Sequence, residues 1–109
     1  MVGLFNRSLS GAQKLDAEEM RQDIFERDRY MCRVCGLSIY RNGTPQLGHR
    51  IGQGKMWREK YGDVVIYHPL NMWSVCGLGC NKKADISRNT EEREKLLDEI
   101  YTDIDSKGH

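Results

Sequence analysis

The sequence lacks any long apolar run. Its mean hydropathy is −0.69, and nothing in its 109 residues approaches the roughly 20 apolar residues of a membrane span. Met1 to Lys14 has no sustained apolar segment of the kind a signal peptide needs. The expectation is an intracellular, cytoplasmic protein with no membrane partner. Internal repeats and low-complexity stretches are also missing, which excludes a solenoid or a tail-like chain. Net charge is nearly absent too, with 17 Lys/Arg against 16 Asp/Glu. A chain this short makes one domain and buries a limited share of its surface, so a staple of metal or disulfide is expected.

What is present is a partition of charge. Residues 27–88 hold eleven Lys/Arg against four acids, a net +7, while the flanks carry a net −6. A basic centre fits a polyanionic partner such as DNA. Chance clustering on an ordinary solvated surface is the alternative reading of charge alone.

Residues 1–14, with Gly3, Ser8, Ser10 and Gly11, show no clear period and read as a loose arm whose Arg7 and Lys14 can touch a nucleic-acid backbone. The remainder, 15–109, reads as a single domain with its motif core at about 27–88. Asp16 and Glu19 have capping-box spacing, and Met20, Ile24 and Phe25 follow at helical intervals. Gln46 to Ile51 and Leu70 to Val75 read as short strands, with 55–69 as an insertion-like loop between them. A short helix is expected from Asn81 to Arg88. A final helix is expected over about 90–105, with Leu96, Leu97, Ile100, Tyr101 and Ile104 on one apolar face. That face packs on the domain itself or on a second copy in a homodimer.

Cys32-x2-Cys35 and Cys76-x3-Cys80 supply the four thiolates that a closed tetrahedral zinc site requires. In a reducing compartment such pairs serve metal rather than disulfides. A closed four-sulfur site has no open position, so this zinc is structural and any chemistry lies within the loop it pins.

Inside that loop the order is specific. Arg27-Asp28 precedes Cys32-x2-Cys35-Gly36; His49-Arg50-Ile51 follows; then come Asn71-Met72-Trp73-Ser74-Val75-Cys76 and Cys80-Asn81-x-Lys83. Over about residues 21–86 this pattern resembles the HNH endonuclease family in a His-Asn-Asn variant. The resemblance implies an α+β fold, a small ββα-metal domain stapled by the four-cysteine zinc site and flanked by N- and C-terminal helices. It implies metal-dependent hydrolysis of DNA phosphodiester bonds, leaving 5′-phosphate and 3′-hydroxyl ends. His49 would be the general base, Asn71 would orient it, and Asn81 would ligate a catalytic Mg²⁺ or Mn²⁺ through its side-chain carbonyl. Many members carry an acidic ligand just before the histidine, where this chain has Gly48. Gln46 and His68 are the candidates for a second ligand.

Beside those roles each residue has a plainer one. His49 can be a structural strand residue, and Asn71 and Asn81 can be a turn residue and a helix cap. Arg50 is the candidate phosphate clamp or else a surface ion-pair partner. Lys55, Trp57, Arg58 and Lys60 mix charge and an aromatic ring as backbone-tracking surfaces do, although Trp57 can equally fill the core. Lys82 and Lys83, with Arg88, are candidate phosphate contacts or a solvated helix face. The competing function is a non-catalytic zinc-stapled module that binds nucleic acid or protein.

Overall fold

The computed structural model describes residues 10–107, with side chains from 18 to 106. In chain order come α1 (Ser10–Arg27), β1 (Gln46–His49), α2 (Lys55–Tyr61), α3 (Asp63–Ile66), a 3-10 turn (Pro69–Asn71), β2 (Met72–Val75), α4 (Leu78–Ala84) and α5 (Thr90–Lys107). Among the described residues this is an α+β arrangement of one two-stranded antiparallel sheet and five α-helices. No helix among them is long and apolar enough to cross a membrane.

Residues 10–14 are helical rather than part of a loose arm, and Asp16 lies inside α1 instead of capping it. The reason is propensity: Ala12, Gln13, Lys14 and Leu15 are strong helix formers, so the helix continues upstream of the capping-box spacing. The rest of the expected arm, residues 1–9 with Arg7, lies outside the described residues. At its other end α1 buries Ile24 and Phe25 and closes with two bonds. Tyr30 donates its N–H to the Phe25 carbonyl at 2.8 Å and Arg29 donates to Glu26 at 2.9 Å, the Schellman pattern. Arg29 and Tyr30 adopt φ of 57° and 59°, a left-handed conformation that costs an L-residue roughly 1–2 kcal/mol. The turn redirects the chain into a small hairpin in which Met31 bridges Ser38 and Cys32 donates to the Leu37 carbonyl. Gly36, at φ +80°, makes the tight bend that follows Cys35.

In the sheet Gln46 pairs with Val75, Leu47 with Ser74, Gly48 with Trp73 and His49 with Met72. Residues directly opposite each other share a face, and successive residues alternate. Gln46, Gly48, Trp73 and Val75 therefore turn toward α4, while Leu47, His49, Met72 and Ser74 turn toward α1. The α1 side is locked by buried Asp28, which accepts from the Ser74 N–H at 2.9 Å, and by Ser74 Oγ donating to the Ile24 carbonyl.

Residues 55–69, expected as a loop, instead fold into α2 and α3, separated by Gly62 at φ +87°. β1 and β2 are correspondingly shorter than expected, because the Pro69–Asn71 turn takes the first residues of the second apolar run and β1 ends at His49. α3 supplies Val65 and Ile66 to a core with Ile51, Leu96, Leu97 and Ile100. The apolar face of α5 is thus covered within the chain, as Leu96, Leu97 and Ile100 are buried, Ile104 packs beside them and Tyr101 is exposed. Of the two alternatives for this face, packing on the domain itself is the one seen. Asn89 caps α5 by accepting the Glu92 N–H at 3.1 Å. A second, smaller core holds Cys32, Val75, Cys76 and Ala84.

Candidate functional site

The hairpin after α1 delivers Cys32 and Cys35, the end of β2 delivers Cys76, and the first turn of α4 delivers Cys80. Their four sulfurs all lie within 4.8 Å of one another, and the group could hold a metal ion. Cys76 Sγ stands 3.7 Å from both Cys35 Sγ and Cys80 Sγ. Around them the Cys35 N–H points to Cys32 Sγ at 3.4 Å, and the Asn42 amide reaches Cys76 Sγ at 3.6 Å. The thiols are electrostatically unequal. Burial raises the Cys32 pKa, but the N–H groups of Cys35, Val34 and Cys76 outweigh it and bring the thiol down to about 6. Desolvation and the sulfurs of Cys76, Cys32 and Cys35 push Cys80 up to about 12. Four thiols this close cannot all ionise by themselves, whereas a cation among them favours the thiolate of each.

α4 begins at Leu78, three residues before the expected start, so both Cys80 and Asn81 are within it. Asn81 Nδ2 donates to Gln46 Oε1 at 3.0 Å. The Asn81 Oδ1 accepts no hydrogen bond among the described residues. It lies 3.3 Å from where a Cβ on Gly48 would sit, as does Ala84 Cβ, with Val75 Cγ1 at 3.4 Å. Gly48 is therefore the point where α4 presses on the sheet. A side chain at 48 would require Asn81 and Ala84 to give way by a few tenths of an ångström. Gln46 already accepts from Asn81, so it positions that amide.

His49 occupies the opposite face. Its ring meets Tyr67 edge-on at 5.6 Å and 88°. Nε2 is buried with no hydrogen-bond partner, the one such buried side-chain atom among the described residues. Nδ1 also makes no hydrogen bond yet is absent from the buried set, so it is the ring nitrogen that reaches solvent. Burial lowers the His49 pKa from its ordinary 6.5, which keeps the imidazole neutral and able to accept a proton near neutral pH.

Asn71 makes no hydrogen bond to His49 itself. It is fully buried, and its side chain clasps backbone instead: Oδ1 accepts from Ile51 N–H at 2.8 Å, and Nδ2 donates to the carbonyls of Ile51 at 3.0 Å and Ile66 at 2.8 Å. It thereby fixes the exit of β1 against α3, two residues beyond the histidine. His68 is likewise engaged elsewhere: Nδ1 accepts from Leu70 N–H at 3.0 Å and Nε2 meets Asp103 at 2.8 Å. That pairing ties the Pro69 turn to α5 and takes His68 out of the set of second metal ligands.

Arg50 points away from His49. Its Nε donates to the Ala84 carbonyl at 3.0 Å, and its guanidinium lies 3.7 Å from the Trp73 ring centre. Trp57 is half-buried, stacked on Tyr61 at 6.0 Å and packed against the larger core. Lys60 and Arg93 lie over its ring at 5.8 and 5.1 Å, so that ring is part of the core's edge rather than an open stacking platform. Lys55, Arg58, Lys82 and Lys83 are exposed. The cysteines are thus brought together, Asn81 joins Gln46 and Gly48, and His49 sits behind them across the strand.

Sequence reasoning missed the part played by Asp28. Its carboxylate is gripped by Arg27 at 2.9 Å and Arg33 at 3.0 Å. Burial alone would raise its pKa, but Arg27, Ser74 and Arg33 overcome this and hold it at about 2. Arg27 also donates to the carbonyls of Pro69 and Met72, making the Arg27-Asp28 pair the clamp between α1 and β2. An isolated acid flanked by arginines beside a cysteine pair was the available signal.

Comparison with protein-family models, with curated proteins and with solved structures found no match.

Proposed function

We propose that this protein is a metal-dependent endonuclease of the HNH type acting on DNA, with zinc in the four-cysteine cluster as a structural staple. The observation that carries the reading is His49: a half-buried imidazole with one orphaned nitrogen, the other open to solvent, and a burial-lowered pKa. An unpaired buried nitrogen costs roughly 1–3 kcal/mol, a sacrifice that functional residues make more often than structural ones. In this reading Nδ1 takes the proton of the attacking water. Asn81 Oδ1, turned by its bond to Gln46, is the protein ligand of Mg²⁺ or Mn²⁺, which in its bound state supplies charge stabilisation at the phosphate and the departing 3′ oxygen.

Zinc is supported by the spacing of the sulfurs. Zn–S bonds of about 2.3 Å in a tetrahedron separate the sulfurs by about 3.8 Å, against the 3.7 Å seen for two of the pairs. Free thiols in this cluster fit a reducing, cytoplasmic setting. The basic centre of the chain, with Lys55, Arg58, Lys82 and Lys83 exposed, suits a phosphate backbone.

The test is plasmid nicking by zinc-loaded protein with Mg²⁺ and with Mn²⁺. Nicking should disappear in His49→Ala and fall in Asn81→Ala. A wild-type protein inactive with every divalent metal overturns the nuclease reading. The second reading, a zinc-stapled module that binds nucleic acid without cutting it, is favoured by glycine at position 48, which supplies no carboxylate ligand and where a Cβ would meet Asn81 Oδ1 and Ala84 Cβ at 3.3 Å. It predicts retention of intact DNA at low salt in the same assay.

A further inference from the structure

On the α4 side of the sheet, facing α5, lies a cleft of about 340 Å³ lined by Arg33, Arg50, Trp73, Glu92, Lys95 and Glu99 among others. Its floor is built from arginines that are already fixed in place. Arg50 is anchored by its Nε bond to the Ala84 carbonyl at 3.0 Å and lies 3.7 Å from the Trp73 ring centre. Arg33 is anchored by Nη1 to Asp28 at 3.0 Å and lies 4.8 Å from the same ring. Both Nη groups of Arg50, the Arg33 Nη2 and the Trp73 indole N–H find no acceptor among the described residues. Two guanidiniums around one ring repel each other. Burial, and then the charge of Arg33, make the Arg50 cation harder to hold, with Glu92 and Glu99 acting in the opposite sense from α5. Those glutamates and Lys95 are exposed on the rim and hydrogen-bond neither arginine.

We propose that this cleft binds a phosphate group, received by the free guanidinium edges of Arg50 and Arg33, with Trp73 lining the same cleft. Preorganised, half-desolvated guanidiniums with unused donors are the arrangement that bidentate phosphate recognition needs, and a tetrahedral oxyanion satisfies several of those donors at once. The phosphate has two possible sources, the backbone of a nucleic acid or a free or terminal phosphate. The inference rests on donor geometry and not on cleavage, so a protein that never cuts DNA would still bind here.

The experiment is a titration of the full-length, zinc-loaded protein without added Mg²⁺ or Mn²⁺, read by the ¹⁵N–¹H signals of the arginine Nε–H and tryptophan indole groups. The probes are inorganic phosphate at constant ionic strength and a short DNA duplex, with chloride as control. Phosphate should shift the Arg50 and Trp73 signals saturably, and Arg33→Gln, at an exposed position, should weaken that binding about tenfold. Arg50→Gln should do the same. Displacement of phosphate by duplex assigns the site to a nucleic-acid backbone. Saturation by phosphate with the duplex leaving these signals unmoved assigns it to a free or terminal phosphate. Shifts no larger than those with chloride, or unchanged affinity in a folded Arg33→Gln, overturn the proposal.

Discussion

Replacing Asn71 by alanine separates two roles for this residue. If it oriented His49, the change would cost activity and spare the fold. The structure gives it three bonds to the backbone, at 2.8 Å from Ile51 N–H and at 3.0 and 2.8 Å to the carbonyls of Ile51 and Ile66. Ile51 and Ile66 are themselves fully buried, so water has little access to the groups left behind. An unsatisfied buried group costs about 1–3 kcal/mol, and the truncation adds a small cavity. Allowing for non-additivity, Asn71→Ala should lose about 3–5 kcal/mol, a large part of the roughly 5–15 kcal/mol available to a domain. At roughly 4–8 °C per kcal/mol, the melting temperature should fall by about 12–40 °C. Asn71→Asp tests the same logic without a cavity: it keeps an acceptor for Ile51 N–H but turns a carboxylate oxygen toward two carbonyls, so it should be at least as damaging. Urea unfolding of the zinc-loaded protein measures both. A loss below about 1 kcal/mol in Asn71→Ala, with nicking abolished, would refute the backbone-clamp assignment and restore the orienting one.

His49→Leu should leave stability unchanged or raise it by up to about 1 kcal/mol, since it removes an orphaned polar atom, while eliminating nicking; a clear loss of stability in urea would contradict the orphaned state of Nε2. Because burial lowers the His49 pKa below 6.5, the unfolded chain binds the extra proton first as pH falls. His49 therefore destabilises the fold progressively below pH 6.5, and the acidic limb of the cleavage profile should lie below that value. Asp28 has the carboxylate sign: lowered from 3.8 to about 2, it contributes about 2 kcal/mol above its unfolded pKa, lost as pH falls through the folded one. Asp28→Asn should therefore cost about 2–3 kcal/mol at pH 7, with the gap closing toward pH 2 in acid unfolding curves. Gly48→Asp should lower stability and fail to tighten Mn²⁺ binding, as judged by calorimetry; tighter binding in a stable protein would show that α4 yields. Stripping the zinc with a chelator should release one ion per chain, seen with a colorimetric indicator, and collapse the circular-dichroism signal, because structural zinc contributes roughly 10 kcal/mol or more to folding.

The elements written as periodic patterns or paired residues were legible from the chain. Leu96, Leu97, Ile100 and Ile104 announce α5, and the two cysteine pairs announce the cluster. Short runs bounded by turn residues announce the two strands. α2 and α3 were hidden because seven and four residues are too few for a helical period to stand out, and Gly62 reads as a loop residue. The early start of α1 was obscured by Asp16 and Glu19, whose capping spacing also occurs inside an acid-rich helix. The backbone partners of Asn71 and the Ala84 and Trp73 partners of Arg50 were hidden for one shared reason. A side chain's partner is set by which way the strand turns it and by which distant segment packs there, and neither is written in its immediate neighbours.

The same alternation bears on how His49 and Asn81 can act together. Strand geometry sends residues 48 and 49 to opposite faces, so a histidine at 49 cannot also meet the amide that packs on 48. One group can serve the proton and the other a cation only if a ligand spans the end of β1, with the backbone of Gly48 and His49 between its two contacts. A cation held by Asn81 would then lie away from the imidazole, whose basicity it would otherwise depress further. It also assigns glycine a positive role: the absent Cβ lets Asn81 and Ala84 approach to 3.3 Å of the position it would fill, close enough for one helix turn to share a site with the strand. A carboxylate ligand at position 48 would press on this close packing. The chain has taken the packing, and in the proposed nuclease the metal shell must then be filled largely by water and by the phosphate itself.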